Sequence, residues 1–345
     1  MSVKLNPIGA ATISNSSQDY KPYFVNLHRK NKTFYILSGV LDGFALQRKG
    51  TAVTSVTYAN GKVEASSPIS LSETHAMVAI HEIKQLMYGG PFSAFVPPAD
   101  FSIKVYDMRN NFKQIDTIHL PRPSGVEYNL QVVSLQCYWN FLVVGVDPFG
   151  GTSEDMKSII YIINLNDYSE INYYYDDDVN GDGIRNFSIF MDKLYWVTFN
   201  SSLLSWYDLK KKVGDGMFIA SWQEQAYPDG SAVDRTGGRI FIPNSKYKME
   251  VYDITVTPPL WKSEFPIPVS VSSIDIDPFR RLIYLCGYDG HLVVVDSKAE
   301  SVLQPIYRPT PTALLSVAVH EYDHVVCTVS PDDKQAFLYQ QVDVA

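Results

Sequence analysis

The chain has 345 residues, 46% hydrophobic and 19% charged, which is enough to bury a large core without help from a partner. A net charge of −8, with Lys and Arg scattered apart from short runs such as Lys210-Lys211-Lys212, argues against nucleic acid as a partner. No segment approaches 18 continuous apolar residues and Met1-Ser-Val-Lys-Leu-Asn-Pro lacks a basic stretch leading into an apolar run, so the expectation is a cytoplasmic monomer with no membrane contact.

In chain order, the first element is an orphan strand, Pro7-Ile-Gly-Ala-Ala-Thr-Ile-Ser. It is followed by a four-beat pattern: an apolar run, a tight turn, a second apolar run, and a strand ending in Asp. The clearest copies end Val105-Tyr106-Asp107, Trp206-Tyr207-Asp208, Val251-Tyr252-Asp253 and Val294-Val295-Asp296, and the last three aspartates are 45 and 43 residues apart. A period in the forties made only of strand signals predicts a toroid of four-stranded sheets. The template gives seven units, starting near Tyr23, Thr74, Asn129, Asn186, Gly230, Ser272 and Leu314. Long insertions run from Gly89 to Asp100 and from Asp147 to Met156, each joining second and third strands. The fifth unit turns at Gly237-Gly238 and the sixth at Asp277-Pro278. The last unit supplies three strands only, so the orphan N-terminal strand is expected to complete it and close the ring, removing open sheet edges. Helix signals are nearly absent, and the fold class is all-β, one domain over residues 1–345.

The cysteines, Cys137, Cys286 and Cys327, are odd in number and lie in apolar strand runs, which predicts reduced thiols. Period-2 alternation assigns one member of pairs such as Tyr195-Trp196 and Trp206-Tyr207 to the wedge between neighbouring sheets. Phe92, Phe95 and Phe101 on the first insertion, with Phe149 on the second, could roof an apolar cavity over the axis and bind a small organic ligand.

This strand grammar resembles the non-WD β-propellers over essentially the whole chain. A narrower segment, Pro228-Asp229-Gly230-Ser-Ala-Val-Asp-Arg-Thr-Gly-Gly-Arg-Ile-Phe-Ile, is similar to one in gluconolactonase and senescence-marker-like enzymes, a six-bladed group in which the Asp before the Gly is a metal ligand at the channel mouth. Six blades is therefore the alternative to seven. Residues opening the innermost strands converge on a propeller axis, and here they read Glu73, Asn129, Asn186 and Asp229, an all-oxygen set suited to Ca²⁺ or another divalent cation. His75, two residues after Glu73, is the expected proton-transfer partner, which makes Glu73, His75 and Asp229 the expected catalytic residues, with Asn129 helping to hold substrate.

A second metal expectation is local. Asp178-Val-Asn180-Gly-Asp182-Gly183-Ile-Arg-Asn186 resembles the calcium loops of FG-GAP blades and dockerins, although Ile189 stands where an EF-hand has its bidentate acid. The two metal sites compete for Asn186. The remaining histidines are dispersed, and a zinc site at His320 and His324 lacks a third ligand. Two functional classes follow. One is a small-molecule enzyme in the axial cavity, either a metal-assisted lactone or ester hydrolase or a metal-free cyclase or isomerase folding an apolar substrate against aromatic walls. The other is an interaction scaffold binding protein or peptide on its rim.

Overall fold

A computed structural model describes residues 2–13, 19–42, 47–91, 101–123, 129–149, 157–168, 171–180, 183–199, 202–224, 228 and 230–344. Its strands form seven antiparallel sheets arranged as a ring, a seven-bladed β-propeller, so seven rather than six is the blade count. Each blade is an antiparallel meander of four strands, inner to outer, with a short fifth strand in blade 1; in every blade but the last the strands follow one another in sequence. Blade 1 opens with Tyr20–His28, blade 2 with His75–His81, blade 3 with Asn129–Tyr138 and blade 4 with Ile184–Phe190. Blades 5, 6 and 7 open with Ala232–Asp234, Val271–Asp277 and Ser316–His320.

Blade 7 is completed by the N-terminal strand Ser2–Thr12, which pairs antiparallel with Gln335–Val344 from Ser2 opposite Val344 to Thr12 opposite Gln335. The predicted closure therefore holds, with the strand beginning five residues earlier than Pro7. It consumes the one sheet edge that would otherwise be left bare at the join.

The core is divided into seven apolar clusters, one in each wedge between neighbouring blades. The alternation of paired aromatics decides which wedge each ring fills. Tyr195 and Trp206 point toward blade 5, packing with Ile240 and Tyr252, whereas Trp196 and Tyr207 point back toward blade 3, packing with Val143 and Ile160. Rings of this size remove on the order of 150–250 Å² each from water, which fills a wedge that widens outward. Cys286 and Cys327 are buried in such clusters and all three cysteines are free thiols, as expected.

The recurring terminal aspartate has a local cause. Asp107, Asp208, Asp253 and Asp296 each end a third strand, and their Oδ1 atoms accept from the backbone N–H of Arg109 (3.0 Å), Lys210 (3.0 Å), Thr255 (2.9 Å) and Lys298 (2.8 Å). Each side chain thus closes the hairpin that leads to the outer strand.

Candidate functional site

The seven inner strands run in the same direction around a central channel of about 670 Å³. We call the face where they begin the top and the face where they end the bottom. Backbone pairing does not join neighbouring blades along the channel; side chains do. Asn186 of blade 4 donates from Nδ2 to Ser231 O (2.8 Å) and accepts at Oδ1 from Ser231 N–H (2.9 Å). Asn26 of blade 1 donates to Val78 O of blade 2 (2.8 Å), and Asp275 of blade 6 accepts from Val319 N–H of blade 7 (2.8 Å) as well as from Ile276 N–H (2.8 Å). Enclosure by protein raises the Asp275 carboxyl to about 6, with the two N–H donors and the nearby Arg29 guanidinium working against that rise.

The predicted axial constellation is not assembled among the described residues. Glu73 lies outside the channel lining, is exposed, and forms an ion pair with Lys104 of its own blade at 3.0 Å. Asn186 does line the channel, but its amide is committed at both ends to Ser231. Asn129 opens the inner strand of blade 3 opposite Phe149, and only the backbone of these two residues is described. Asp229 lies outside the described residues, as do Phe92 and Phe95.

His75 is fully buried and sits in the wedge between blades 1 and 2 rather than in the channel. Its Nε2 is 2.6 Å from Tyr106 Oη, its N–H meets Thr51 Oγ1 at 2.8 Å, and its carbonyl accepts from Tyr23 Oη at 2.7 Å. Gly89 lies against the imidazole so closely that a Cβ there would stand 2.6 Å from it. Burial lowers the imidazole to about 4, so it is a neutral core histidine. Phe101 is likewise not a channel roof: it is packed in the wedge between blades 2 and 3 with Ile103 and Leu130.

Only part of the expected calcium loop is described. Asp178 and Asn180 belong to the outer strand of blade 3, Ile171–Asn180, which is bulged where Asn180 pairs with Lys157. Asp182 lies outside the described residues. No group of three or more His, Cys, Asp or Glu that could hold a metal occurs among the described residues. A second hollow of about 380 Å³ between blades 5 and 6 is lined by charged side chains already paired, Arg239 with Glu300 and Lys262 with Asp253.

The bottom face holds what the sequence reading missed. The last residue of the inner strand is a cap in five blades: His28, His81, Asp234, Asp277 and His320 each accept from the backbone N–H three residues on. Four of these caps also reach the next blade. His28 Nε2 lies 2.6 Å from the Gln85 amide, Asp234 is gripped by Arg281 (2.6 Å), Asp277 Oδ2 meets His324 Nδ1 (3.0 Å), and His320 Nε2 meets Arg29 O (2.9 Å). The Asp234 carboxyl is held below its usual range because Arg281, Gly237 N–H and Ser297 together outweigh the opposing effect of burial.

Just beyond the inner strand, with or without such a cap, the turns to the second strand carry exposed apolar side chains in five blades: Ile83 in blade 2 (91% exposed), Trp139 in blade 3 (76%), Met191 in blade 4 (71%), Phe279 in blade 6 (63%) and Tyr322 in blade 7 (64%). Phe279 and Tyr322 touch across the blade boundary, with ring centroids 5.3 Å apart. Trp139 and Met191 sit at φ 48° and 46°, a left-handed conformation that bulky residues rarely adopt. Each stands one or two residues after the end of its inner strand, so counting from strand ends rather than from strand openings would have exposed this set in the sequence.

Solved structures share the architecture. The beta-propeller domain of Cps50 (Swd1) from Myceliophteria thermophila superposes with a TM-score of 0.64 over 98% of this chain and 99% of that one, at 9% identity. That likeness is one of fold. No family model matches the chain, and no curated protein matches it, so the gluconolactonase-like resemblance gains no support. No helix among the described residues is long and apolar enough to cross a membrane.

Proposed function

We propose that this chain is an interaction propeller that docks a protein partner on its bottom face. The observation that carries this reading is the ring of five large apolar side chains, all exposed and all at the turn that follows the inner strand. Isolated exposed apolar residues are ordinary on a folded surface, whereas a set that recurs on the turn after the inner strand in five of seven blades, with Phe279 and Tyr322 in contact, is the kind of surface that marks interfaces. The left-handed backbone at Trp139 and Met191 adds to this, since Asn or Gly would occupy those turns at lower cost. Two of the side chains invoked for hydrolysis at the axis are, in contrast, engaged elsewhere, Glu73 by Lys104 and Asn186 by Ser231.

The test is co-purification from cells expressing the tagged full chain, comparing wild type with Trp139→Ser/Phe279→Ser and with the channel variant Arg185→Gln. A protein retained by wild type and by Arg185→Gln but lost from the double variant supports the reading. Retention by all three, or loss only with Arg185→Gln, refutes it.

A further inference from the structure

The arc of the bottom face formed by blades 5, 6, 7 and 1 differs in charge from the rest of the molecule. The turns after the four inner strands, residues 235–238, 278–281, 321–324 and 29–32, hold six Lys or Arg and two Asp or Glu, in a chain whose net charge is −8. Several of these cations are tied down within the fold. Arg281 is bound to Asp234, Arg280 to Asp343 (2.9 Å), Lys32 to Asp323 (2.8 Å), and Arg29 to Glu321 (2.6 Å) and Glu82 (3.1 Å). Two remain. Lys30 and Arg235 are exposed and have no carboxylate partner among the described residues. In the circular order of blades they stand on either side of the touching rings of Phe279 and Tyr322, and Arg235 also borders the channel mouth.

Resting on the docking reading above, we propose that the partner presents an acidic amphipathic peptide segment whose apolar side chain seats on Phe279 and Tyr322 while carboxylates on either side meet Lys30 and Arg235. An apolar anchor supplies most of the binding energy at such sites, and flanking charge selects among partners and speeds their approach. The chain's net charge of −8 disfavours an acidic segment elsewhere, so the cations of this arc select for it. Because both cations are exposed, their contribution weakens as salt rises.

The experiment pans a phage-displayed library of random peptides against the immobilised full chain and measures the affinity of synthetic copies of the enriched peptides. The expected result is enrichment of sequences with an aromatic or aliphatic residue flanked by Asp or Glu. Binding should weaken at least tenfold in Lys30→Glu/Arg235→Glu, weaken with rising salt, and vanish in Phe279→Ser/Tyr322→Ser. Circular dichroism and melting of each variant, all at exposed turn positions, show that the fold is retained. Enrichment of neutral or basic peptides lost in Phe279→Ser/Tyr322→Ser overturns the acidic partner and leaves bottom-face docking standing. Peptides unaffected by changes at Phe279, Tyr322 and Trp139 overturn both. No enrichment at all, or a concentration-dependent dimer in sedimentation that Phe279→Ser dissolves, overturns the proposal too, the latter in favour of a second copy of the chain.

Discussion

His320 Nε2 lies 2.9 Å from the carbonyl oxygen of Arg29, joining the last blade to the first, while its Nδ1 accepts from Asp323 N–H at 3.0 Å. The second bond leaves Nδ1 without a proton, so the ring hydrogen is on Nε2 and donates to Arg29. One imidazole thus closes its own hairpin and fastens the seam of the ring.

Replacing His320 with Ala removes both bonds: the part-buried Asp323 N–H loses its acceptor, while Arg29 O keeps only the Lys32 N–H of its own turn. The expected cost is about 1–3 kcal/mol, read as a lower midpoint in urea unfolding. A loss below about 0.5 kcal/mol would show that the seam is held by packing alone.

Removing residues 1–12 strips the outer strand from blade 7 and bares the edge of Gln335–Val344. The truncated chain is expected to aggregate or to elute as mixed oligomers in size-exclusion chromatography. A soluble truncated monomer melting within a few degrees of wild type would contradict this account of closure.

Two groups, the half-buried Asp275 of the channel and the buried His75, respond to pH with opposite sign. The Asp275 carboxyl titrates near 6 when folded against 3.8 when free, so its contribution to stability is full below 3.8 and is lost as pH rises through 6. His75 titrates near 4 when folded against 6.5 when free, so its contribution is full above 6.5 and is lost as pH falls toward 4. Each amounts to at most about 3 kcal/mol. Between pH 4 and 6 the two largely offset one another, and Asp275→Asn and His75→Gln should tilt the stability profile in opposite directions. NMR titration of the two side chains gives the direct check: midpoints near the free values would remove the basis of this prediction.

Asn186→Ala should cost about 1–3 kcal/mol, because Ser231 loses a partner for both its N–H and its carbonyl. Glu73→Gln removes only an exposed ion pair and should change stability by less than about 1 kcal/mol. Thermal melts of the two variants separate a blade clamp from a surface residue.

Met191→Asn places a residue tolerant of left-handed backbone at φ 46° and should raise stability by about 0.5–1 kcal/mol. If the bottom face docks a partner across its whole ring, the same change weakens that contact. A gain in melting temperature with undiminished binding would remove Met191 from the interface.

The strand grammar was legible because it is local. A hairpin needs a turn residue and two alternating runs within about a dozen positions, and Asp107, Asp208, Asp253 and Asp296 each act on a neighbour two residues away. The inward-facing residues were not legible because alternation breaks near the start of most inner strands. Register shifts fall at Pro22/Phe24, His75/Met77, Val132/Ser134, Arg185/Ser188 and Val271/Ser273. A bulge moves every earlier side chain to the other face, so His75 enters a wedge whereas Met77, beyond the bulge, lines the channel. His28, His81 and His320 looked dispersed because insertions of different length separate blades that stand side by side.

The sequence alone determined an all-β ring of seven units closed by its own N-terminal strand, since strand length, turn chemistry and repeat period depend on contacts within one blade. Only the tertiary structure decided which side chains meet between blades: Asn186 with Ser231, His320 with Arg29, Phe279 with Tyr322. Those meetings depend on where bulges fall and how the ring closes, and they join segments 40 or more residues apart, so no residue's own preference settles them.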